Sequence, residues 1–471
     1  MTIQEIRKFF KKTFDRISNE KLKNNILQTL PFWIASILSG LAAVFYSRIF
    51  AYLEALNFSL LINHRWSLFI LTPVCFLIAW YVVKRFALRA RGSGVPEVMA
   101  AVELASPRDD KKVSKLLSLR IIVVKALSSF LMILGGGLIG KEGPTIQISG
   151  AIFRKINDWL PAWWPKISKR NMIMAGAAAG LAAAFNTPLG GIVFAVEELT
   201  KTHISYFKTA LFTAVIIAGL TAQGLLGPYL YLGYPDVTHV STFIFFPLIL
   251  VAVVTGLLGS LMSKVILATF QWKRKFKFNY QYVIYIVLCG LFIVAVAFLY
   301  DPRILGSGKE IMTTTLFSSA KEVKWYTAVD RVVGTTMSFT IGGAGGIFAP
   351  SLGAGAAVGS LIAGWLHAAS TDANLLILCG MVGYLTGVTR TPFTSAILVL
   401  EMTDRHNVIF HLMVAGLVAS LVSLFVDRES LYDRLKDQNL HDLFEEEAAT
   451  APLEANASEE ETGSGIEGPV L

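Results

Sequence analysis

The stretch Gly136-Gly137-Leu138-Ile139-Gly140-Lys141-Glu142-Gly143-Pro144-Thr145 interrupts an apolar background with glycine, proline and two charges. Its pattern returns 206 positions later, in residues 342–351, which read Gly-Gly-Ala-Gly-Gly-Ile-Phe-Ala-Pro-Ser. A second block, residues 176–197 with a Thr-Pro step and a terminal glutamate, returns in residues 380–401 at an interval of 204. Two blocks that repeat at nearly one interval indicate that the chain consists of two duplicated halves.

The composition places these halves in a membrane. The 471 residues are 54% hydrophobic and only 16% charged, with a mean hydropathy of +0.57, whereas soluble domains carry about 25% charged residues. Apolar runs long enough to cross a bilayer lie near 31–57, 66–87, 119–139, 206–232, 241–270, 282–300 and 407–426. Shorter apolar pieces, cut by glycine and proline, occupy 145–153, 171–185, 188–199, 345–366 and 374–400. These patterns predict an all-α polytopic membrane protein with broken helices buried inside the bundle.

The charge distribution predicts the domains and the orientation. The net charge of +9 combines an acidic segment, residues 427–471 at −10, with a body at +19. Basic clusters in residues 7–23, 84–115 and 273–277 are typical of cytoplasmic segments. We therefore predict four parts, with both termini cytoplasmic: a cytosolic amphipathic segment (1–25), membrane half 1 (26–235), membrane half 2 (236–426), and a largely disordered acidic tail (427–471).

Three motifs punctuated by glycine and proline carry the functional prediction. They occupy residues 92–97 (GSGVPE), 140–144 (GKEGP) and 346–350 (GIFAP), and an apolar segment follows each. Proline is accepted in the first turn of a helix, so each motif indicates a helix start. The first turn of a helix leaves N–H groups free at its positive end. Several such ends that converge inside a membrane would form an anion site.

Glu142 is the unusual residue of the second motif, because an ionisable group at a buried helix start is costly. Its carboxylate could occupy an anion site lined by amides and leave it when protonated, which would make it both gate and proton carrier. The alternative is a capping or ion-paired glutamate, with Lys141 as its partner. The spacing Gly135-x-x-x-x-Gly140-Lys141 approaches a nucleotide-binding loop, but Glu142 stands where that motif needs serine or threonine.

These motifs, in this order across two halves, resemble the CLC family of chloride channels and proton-coupled chloride transporters. The resemblance covers about residues 30–435, and the stretches 180–198 and 396–404 look especially like the prokaryotic antiporters. It implies an inverted repeat with many tilted and broken helices and an anion site near the midplane. It also implies a homodimer with one pathway per subunit, chloride and protons as substrates, and no cofactor. The tail is too short for the paired regulatory domains of many eukaryotic relatives.

The resemblance also implies roles for individual residues. The side chain of Ser93, the backbone amides of Ile347 and Phe348, and the hydroxyl of Tyr432 would bind chloride. Glu142 matches the external gate, and Glu198 the internal proton-transfer residue that antiporters have. The backbone around the anion site would be supplied by Gly94, Lys141 and Gly143. Serine at position 93 favours chloride over nitrate.

Alternatives remain open from the sequence. The first alternative is a passive chloride channel of the same fold, which lacks proton coupling; Glu198 is the only sequence feature that indicates coupling. The pair Glu197-Glu198 could instead cap a helix or form ion pairs. An intramembrane enzyme could use Glu142 or Glu198 as acid or base, but the seven histidines show no metal-ligand spacing. The three cysteines lie in apolar runs, which is typical of small buried residues. No metal and no nucleic acid is expected, and we predict a prokaryotic inner membrane location in contact with the lipid bilayer.

Overall fold

The computed structural model describes residues 12, 14, 15, 19–106, 109–200, 208–227, 230–318, 321 and 323–463, with backbone alone from 450 onward. This part of the chain is almost wholly helical. In chain order the helices are α1 (Glu20–Asn63), α2 (Leu68–Phe86), α3 (Val95–Glu103), α4 (Asp110–Leu116), α5 (Leu119–Leu134), α6 (Glu142–Trp159), α7 (Lys169–Phe185), α8 (Pro188–Phe194), α9 (Lys208–Leu226), α10 (Phe245–Arg274), α11 (Asn279–Leu299), α12 (Lys309–Phe317), α13 (Trp325–Thr340), α14 (Phe348–Trp365), α15 (Ser370–Thr389), α16 (Pro392–Thr403), α17 (Ile409–Ser423) and α18 (Leu431–Gly463).

Nine helical segments of the described residues are long and apolar enough to cross a membrane. Seven of them correspond to the seven long apolar runs, so the prediction of a polytopic all-α protein is confirmed. The other two are α14 and α15, in the pieces 345–366 and 374–400 that the sequence predicted to be short and cut by glycine and proline. The second piece is indeed divided, since α15 ends at Thr389 and α16 begins at Pro392, whereas α14 and α15 themselves are long enough to span. They are continuous, because their glycines serve helix contact: a Cβ at Gly359 would meet the Leu376 carbonyl oxygen at 2.8 Å. Small residues allow backbones to approach closely in membrane bundles.

The repeat predicted from the two sequence blocks is confirmed by the helices. α5 and α13 each contain 16 residues, and α6 and α14 each contain 18, with both pairs 206 positions apart. At the junction of the halves, Gly140 and Gly346 exchange backbone hydrogen bonds of 2.8 and 2.7 Å. Because Gly140 and Gly346 occupy equivalent positions in the two halves and pair with each other, they lie beside a local two-fold axis that relates the halves.

The two halves run in opposite directions. α5 begins just after Lys115, which pairs with Glu446 of α18 at 3.4 Å. α13 ends at Thr340, whose carbonyl oxygen accepts a hydrogen bond from Lys273. Arg274, which follows Lys273 in the chain, pairs with α18 at 3.2 Å. α5 therefore starts, and α13 ends, at the face that carries α18, called the tail face below. The repeat is inverted, as the resemblance implied.

A second reciprocal contact joins the halves at α8 and α16. The carboxylate of Glu197, beyond α8, accepts from the N–H groups of Phe393 and Thr394 at 3.2 and 2.7 Å. Its equivalent Glu401, in α16, accepts from the N–H groups of Leu189 and Gly190 at 3.0 and 2.7 Å. Each half thus supplies the N-terminal cap for a short helix of the other half, which fixes their relative positions.

The termini differ from the sequence prediction in one respect. The tail is not largely disordered over its first part, since α18 continues from Leu431, and Leu431, Tyr432 and Leu443 are buried. The acids of α18 pair with bases of the tail face, and this combination of apolar burial and ion pairs orders a segment whose composition alone indicated disorder. The amphipathic pattern of residues 1–25 falls mostly on residues 1–11, 13 and 16–18, which lie outside the described residues.

Candidate anion site at three helix N-termini

Backbone hydrogen bonds hold the three motif loops together. Gly92 donates to the Gly343 carbonyl oxygen at 2.8 Å and accepts from the Gly345 N–H at 3.0 Å. The exchange between Gly140 and Gly346 joins the second loop to the third. These contacts bring the N-termini of α3, α6 and α14 to one place, as the sequence predicted. None of the three helix starts has a side-chain cap, so their first-turn N–H groups remain available to an anion.

Glycine is required where α3 and α6 meet. Gly94 adopts a left-handed conformation, with φ of 102°, at the start of α3. A Cβ at Gly143, in the first turn of α6, would lie 2.6 Å from the Ser93 carbonyl oxygen. The absence of a side chain at Gly143 therefore lets Ser93 approach the free end of α6.

The residues predicted to bind chloride converge at this point. The Ser93 and Tyr432 hydroxyl oxygens are 3.4 Å apart, and both side chains are buried. The Phe348 ring stacks on that of Tyr432, with centroids 6.0 Å apart and planes inclined by 27°. Ile347, fully buried, immediately precedes α14. Two hydroxyls and the start of α14 thus share one small region, although α18 is remote from the motifs in sequence.

Glu142 is the first residue of α6 and has no exposed surface. Its carboxylate fills the space that a side chain at Gly140 would take, beside Ala349 and Pro350 of α14. The backbone amides of Glu142 itself and of Ala349 favour the charged form of the carboxylate electrostatically. Neither carboxylate oxygen, however, accepts a hydrogen bond within 3.5 Å from the described residues. A buried carboxylate in this state is held chiefly by the positive ends of the surrounding helices.

Lys141 does not pair with Glu142. No ion pair within 4.0 Å joins them, and the ammonium nitrogen of Lys141 lies 5.9 Å from the centroid of the Tyr231 ring, on which Lys309 also lies at 4.9 Å. The alternative of a direct ion pair between Lys141 and Glu142 thus finds no support in the described residues, although the ammonium group acts electrostatically on the carboxylate. Lys141 instead adds positive charge to the approach from the face opposite α18.

Glu198 lies in a π-helical turn, Ala195–Thr200, that continues α8, and it is 5% exposed. Its neighbour Glu197 makes the cap to α16 described above, so the capping alternative for the Glu-Glu pair applies to Glu197. The carboxylates of Glu198 and Glu142 both act electrostatically on the Tyr432 hydroxyl. Both predicted proton-transfer residues therefore lie within electrostatic range of Tyr432.

Sequence reasoning missed two residues of α5 that support the loops. Lys125, fully buried, donates to the carbonyl oxygens of Gly92 and Arg91 at 3.0 and 3.4 Å. The Ser128 hydroxyl accepts from the Ala344 N–H at 3.0 Å. The signal was present for Lys125, since an isolated lysine within an apolar run of membrane length is costly unless it has a structural or functional partner.

Two cavities open on opposite faces, and the one on the tail face reaches the site. On the tail face, a cavity of about 330 Å³ reaches Ser93 and is lined by the bases Lys84, Arg91, Lys273 and Arg274 and by Glu97; it is called the tail-face vestibule. On the other face, a cavity of about 550 Å³ is lined by residues that include Glu54, Asn57, Lys309 and Glu310. The excess of bases over acids in the vestibule favours small anions there.

No metal was expected, but one group of side chains has metal-ligand proximity. His441, Asp442 and Glu445 lie close together on the exposed side of α18. Asp442 is also shared by three arginines, with the shortest contact at 3.2 Å to Arg274. These cations compete with a metal ion for the same carboxylate, so we assign no metal to this group.

Comparisons with known proteins agree on the family. Residues 75–424 match the family model described as voltage-gated chloride channel. The chain is 28% identical over 429 residues to the H(+)/Cl(-) exchange transporter ClcA of Cronobacter sakazakii, covering 86% of this chain and 88% of the relative. It is also 28% identical over 416 residues to ClcA of Citrobacter koseri, covering 85% and 84%.

Solved structures share the fold. A slow cyanobacterial Cl−/H+ antiporter superposes with a TM-score of 0.77 at 24% identity, covering 88% of this chain and 98% of that one. A CLC-type fluoride/proton antiporter superposes with a TM-score of 0.73 at 21% identity and the same coverage. With the family model matching most of its length, this chain belongs to the voltage-gated chloride channel (CLC) family.

Proposed function

We propose that the protein is a secondary active transporter that exchanges chloride for protons across a membrane. The observation that carries this proposal is the buried Glu142 carboxylate, which lies among three uncapped helix N-termini and accepts no hydrogen bond from the described residues. The ClcA relatives are named as H(+)/Cl(-) exchange transporters. Both substrates in these names fit a site that attracts anions and contains an ionisable gate.

Chloride would bind between the Ser93 and Tyr432 hydroxyls and the start of α14. Their 3.4 Å separation brings two donors to one side of the ion, and the N–H groups of Ile347 and Phe348 would complete the shell. A site made of neutral donors and helix ends binds an anion without a buried full positive charge, which keeps the ion mobile. Gly94, Lys141 and Gly143 would shape this backbone without contributing side chains to the ion.

Glu142 would act as gate and as proton carrier. The ionised carboxylate is attracted by the same helix ends as chloride, so the two compete for this region. Protonation removes that attraction and lets the side chain leave, which opens the path for chloride. One carboxylate thereby links the movement of one ion to that of the other.

Glu198 would pass protons between the tail face and Glu142. It is buried in the turn that follows α8, and its carboxylate, like that of Glu142, acts electrostatically on the Tyr432 hydroxyl. The exchange function depends on this second carboxylate, since Glu142 alone could serve a passive channel.

The tail face would be cytoplasmic, in a prokaryotic inner membrane. The basic residues Arg89, Arg91, Lys112, Lys115 and Arg274 all lie at this face, where acids of α18 bind them. Their concentration on one side of the bundle agrees with the positive-inside rule. Both termini would then be cytoplasmic, since α1 begins near the same face, where its Leu27 carbonyl oxygen accepts from Trp164.

A homodimer would cover the surface formed by α8 and α16. These helices have 7 and 12 residues, too short to cross a bilayer. Leu189 and Phe393 are 51% and 45% exposed there, next to the partly exposed carboxylates of Glu197 and Glu401. Two helices too short to span the bilayer, with apolar side chains exposed beside them, form a face that a second copy can cover. Tryptophan at positions 189 and 393 should yield monomers by light scattering; persistent dimers would place the interface elsewhere.

The test of the exchange function is chloride-driven proton movement. The full chain is reconstituted in liposomes with a chloride gradient, and the internal pH is followed with a dye. We expect uphill proton transport, which a protonophore abolishes. Fast chloride flux without proton movement would instead establish the passive channel, and absence of both fluxes would reject transport of chloride.

A further inference from the structure

We propose that Asp442 controls how readily anions reach the site from the tail face, by partly neutralising the arginines at the mouth of the tail-face vestibule. This inference rests on the proposed chloride transport but not on proton coupling. Asp442 does not touch the ion path itself. It acts through Arg91 and Arg274, both of which line the vestibule, and is therefore a positioning residue for anion access.

The geometry places one carboxylate between three cations. Asp442 oxygens lie 3.2 Å from Arg274, 3.5 Å from Arg91 and 3.8 Å from Arg89. These arginines come from two segments far apart in sequence, and Asp442 is the point at which α18 joins them. One turn earlier, Asn439 of α18 donates to Glu97 at 3.1 Å, so the same helix also engages the one acid of the vestibule.

The neighbouring acids of α18 bind bases that lie farther from the vestibule. Glu446 pairs with Arg89 at 2.8 Å and with Lys115 at 3.4 Å, and Glu447 pairs with Lys112 at 2.8 Å. These pairs hold α18 against α4 and the loop before α3. Glu446 and Glu447 thus anchor the helix, whereas Asp442 faces the two arginines that chloride must pass.

A charge at this position acts on anion occupancy through the local potential. At low ionic strength a unit charge near a vestibule changes the local anion concentration roughly three-fold, and salt screens most of this change. Removal of the Asp442 charge should lower the apparent KM for chloride, and removal of the Arg274 charge should raise it. A residue that merely stabilised α18 would produce no such opposite pair of effects.

The experiment measures chloride flux of the reconstituted full chain in planar bilayers, with chloride varied on each side and ionic strength adjusted with isethionate. We expect Asp442→Asn to lower KM for chloride about three-fold on the tail face alone, at roughly 10 mM ionic strength, and less than about 1.5-fold at 0.5 M. Arg274→Gln should raise KM about as much. The variant carrying both changes should return near the wild-type value.

Matched controls separate this effect from net charge and from folding. Glu445→Gln removes an equal charge from α18, but Glu445 pairs only with His441 among the described residues, and Lys275→Gln removes an exposed base beside Arg274. Both should shift KM clearly less than the corresponding test variant, because neither side chain lines the vestibule or pairs with its arginines. If both test variants shift KM in the same direction, or if the shifts persist at 0.5 M, Asp442 has a structural role and the inference is wrong. Because only chloride is measured, a wild type that fails to pump protons leaves the test valid.

Discussion

The contact between Gly143 and Ser93 gives the most quantitative prediction. A Cβ at position 143 would lie 2.6 Å from the Ser93 carbonyl oxygen and 3.1 Å from its carbonyl carbon. These are backbone atoms, so no side-chain rotation relieves the contact. Gly143→Ala therefore requires that the start of α6 and Ser93 separate by about 0.8 Å, the distance from 2.6 Å to an ordinary contact of 3.4 Å.

This displacement acts directly on the proposed chloride shell. A donor distance near 3.2 Å would become about 4 Å, which removes the hydrogen bond. The loss of a hydrogen bond to an ion costs about 1.5–3 kcal/mol of binding, and each 1.4 kcal/mol is ten-fold in a dissociation constant. Separately, overpacking of this kind lowers the free energy of unfolding by about 1–3 kcal/mol. We expect Gly143→Ala to weaken chloride binding at least about ten-fold and to lower the thermal transition.

Gly150 of the same helix provides the control. A Cβ there would meet its nearest neighbour, a Val98 methyl group, at 3.6 Å, which is ordinary contact. Alanine also favours a helix interior over glycine by about 1 kcal/mol, so Gly150→Ala should be at least as stable as the wild type. Titration calorimetry with chloride and scanning fluorimetry measure both variants. Wild-type affinity in Gly143→Ala, or equal losses in both variants, would refute the argument from close packing.

Three further predictions concern the remaining site residues. Tyr432→Phe removes a hydroxyl 3.4 Å from Ser93 but keeps the stack on Phe348, so calorimetry should show chloride affinity falling about three- to ten-fold with an unchanged thermal transition; an unchanged affinity would remove Tyr432 from the shell. Glu198→Gln should preserve chloride flux in liposomes and reduce coupled proton transport at least ten-fold, and full coupling in this variant would exclude Glu198 from the proton route. Glu197→Gln replaces one of the two carboxylate oxygens that accept from Phe393 and Thr394 of α16 with an NH2 donor and should destabilise the fold by about 1–3 kcal/mol; unaltered thermal unfolding would contradict the capping role.

The fold and most of the site could be predicted from the sequence, because repeats and helix starts have recognisable local residue patterns. The interval of 206 residues predicted two duplicated halves, and the three motifs predicted converging N-termini. Tyr432 was predictable only through the resemblance, since no local pattern connects α18 with Ser93. The inverted direction of the halves became evident from ion pairs between α18 and distant bases.

Other features could not be predicted for definite physical reasons. The length of α14 and α15 could not be predicted, because a glycine that ends a helix and one that admits a neighbouring backbone look alike in sequence. The acidic composition of α18 indicated disorder. Its helical order could not be predicted, because the ion pairs with Arg89 and Arg274 that stabilise it depend on tertiary placement. The reciprocal helix caps made by Glu197 and Glu401 likewise depend on tertiary placement. The equivalent positions of the two glutamates in the repeat did, however, indicate that they have a shared role.

The central claim is that Glu142 both gates chloride and carries the proton, and Glu142→Gln tests it most directly. Glutamine keeps the size of the side chain but cannot release a proton or carry the charge that competes with chloride. Chloride flux and proton flux are measured together in liposomes that contain wild-type or Glu142→Gln protein under the same chloride gradient. We predict that the variant retains chloride flux and loses chloride-driven proton transport completely. Coupled proton transport that persists in Glu142→Gln would contradict the claim.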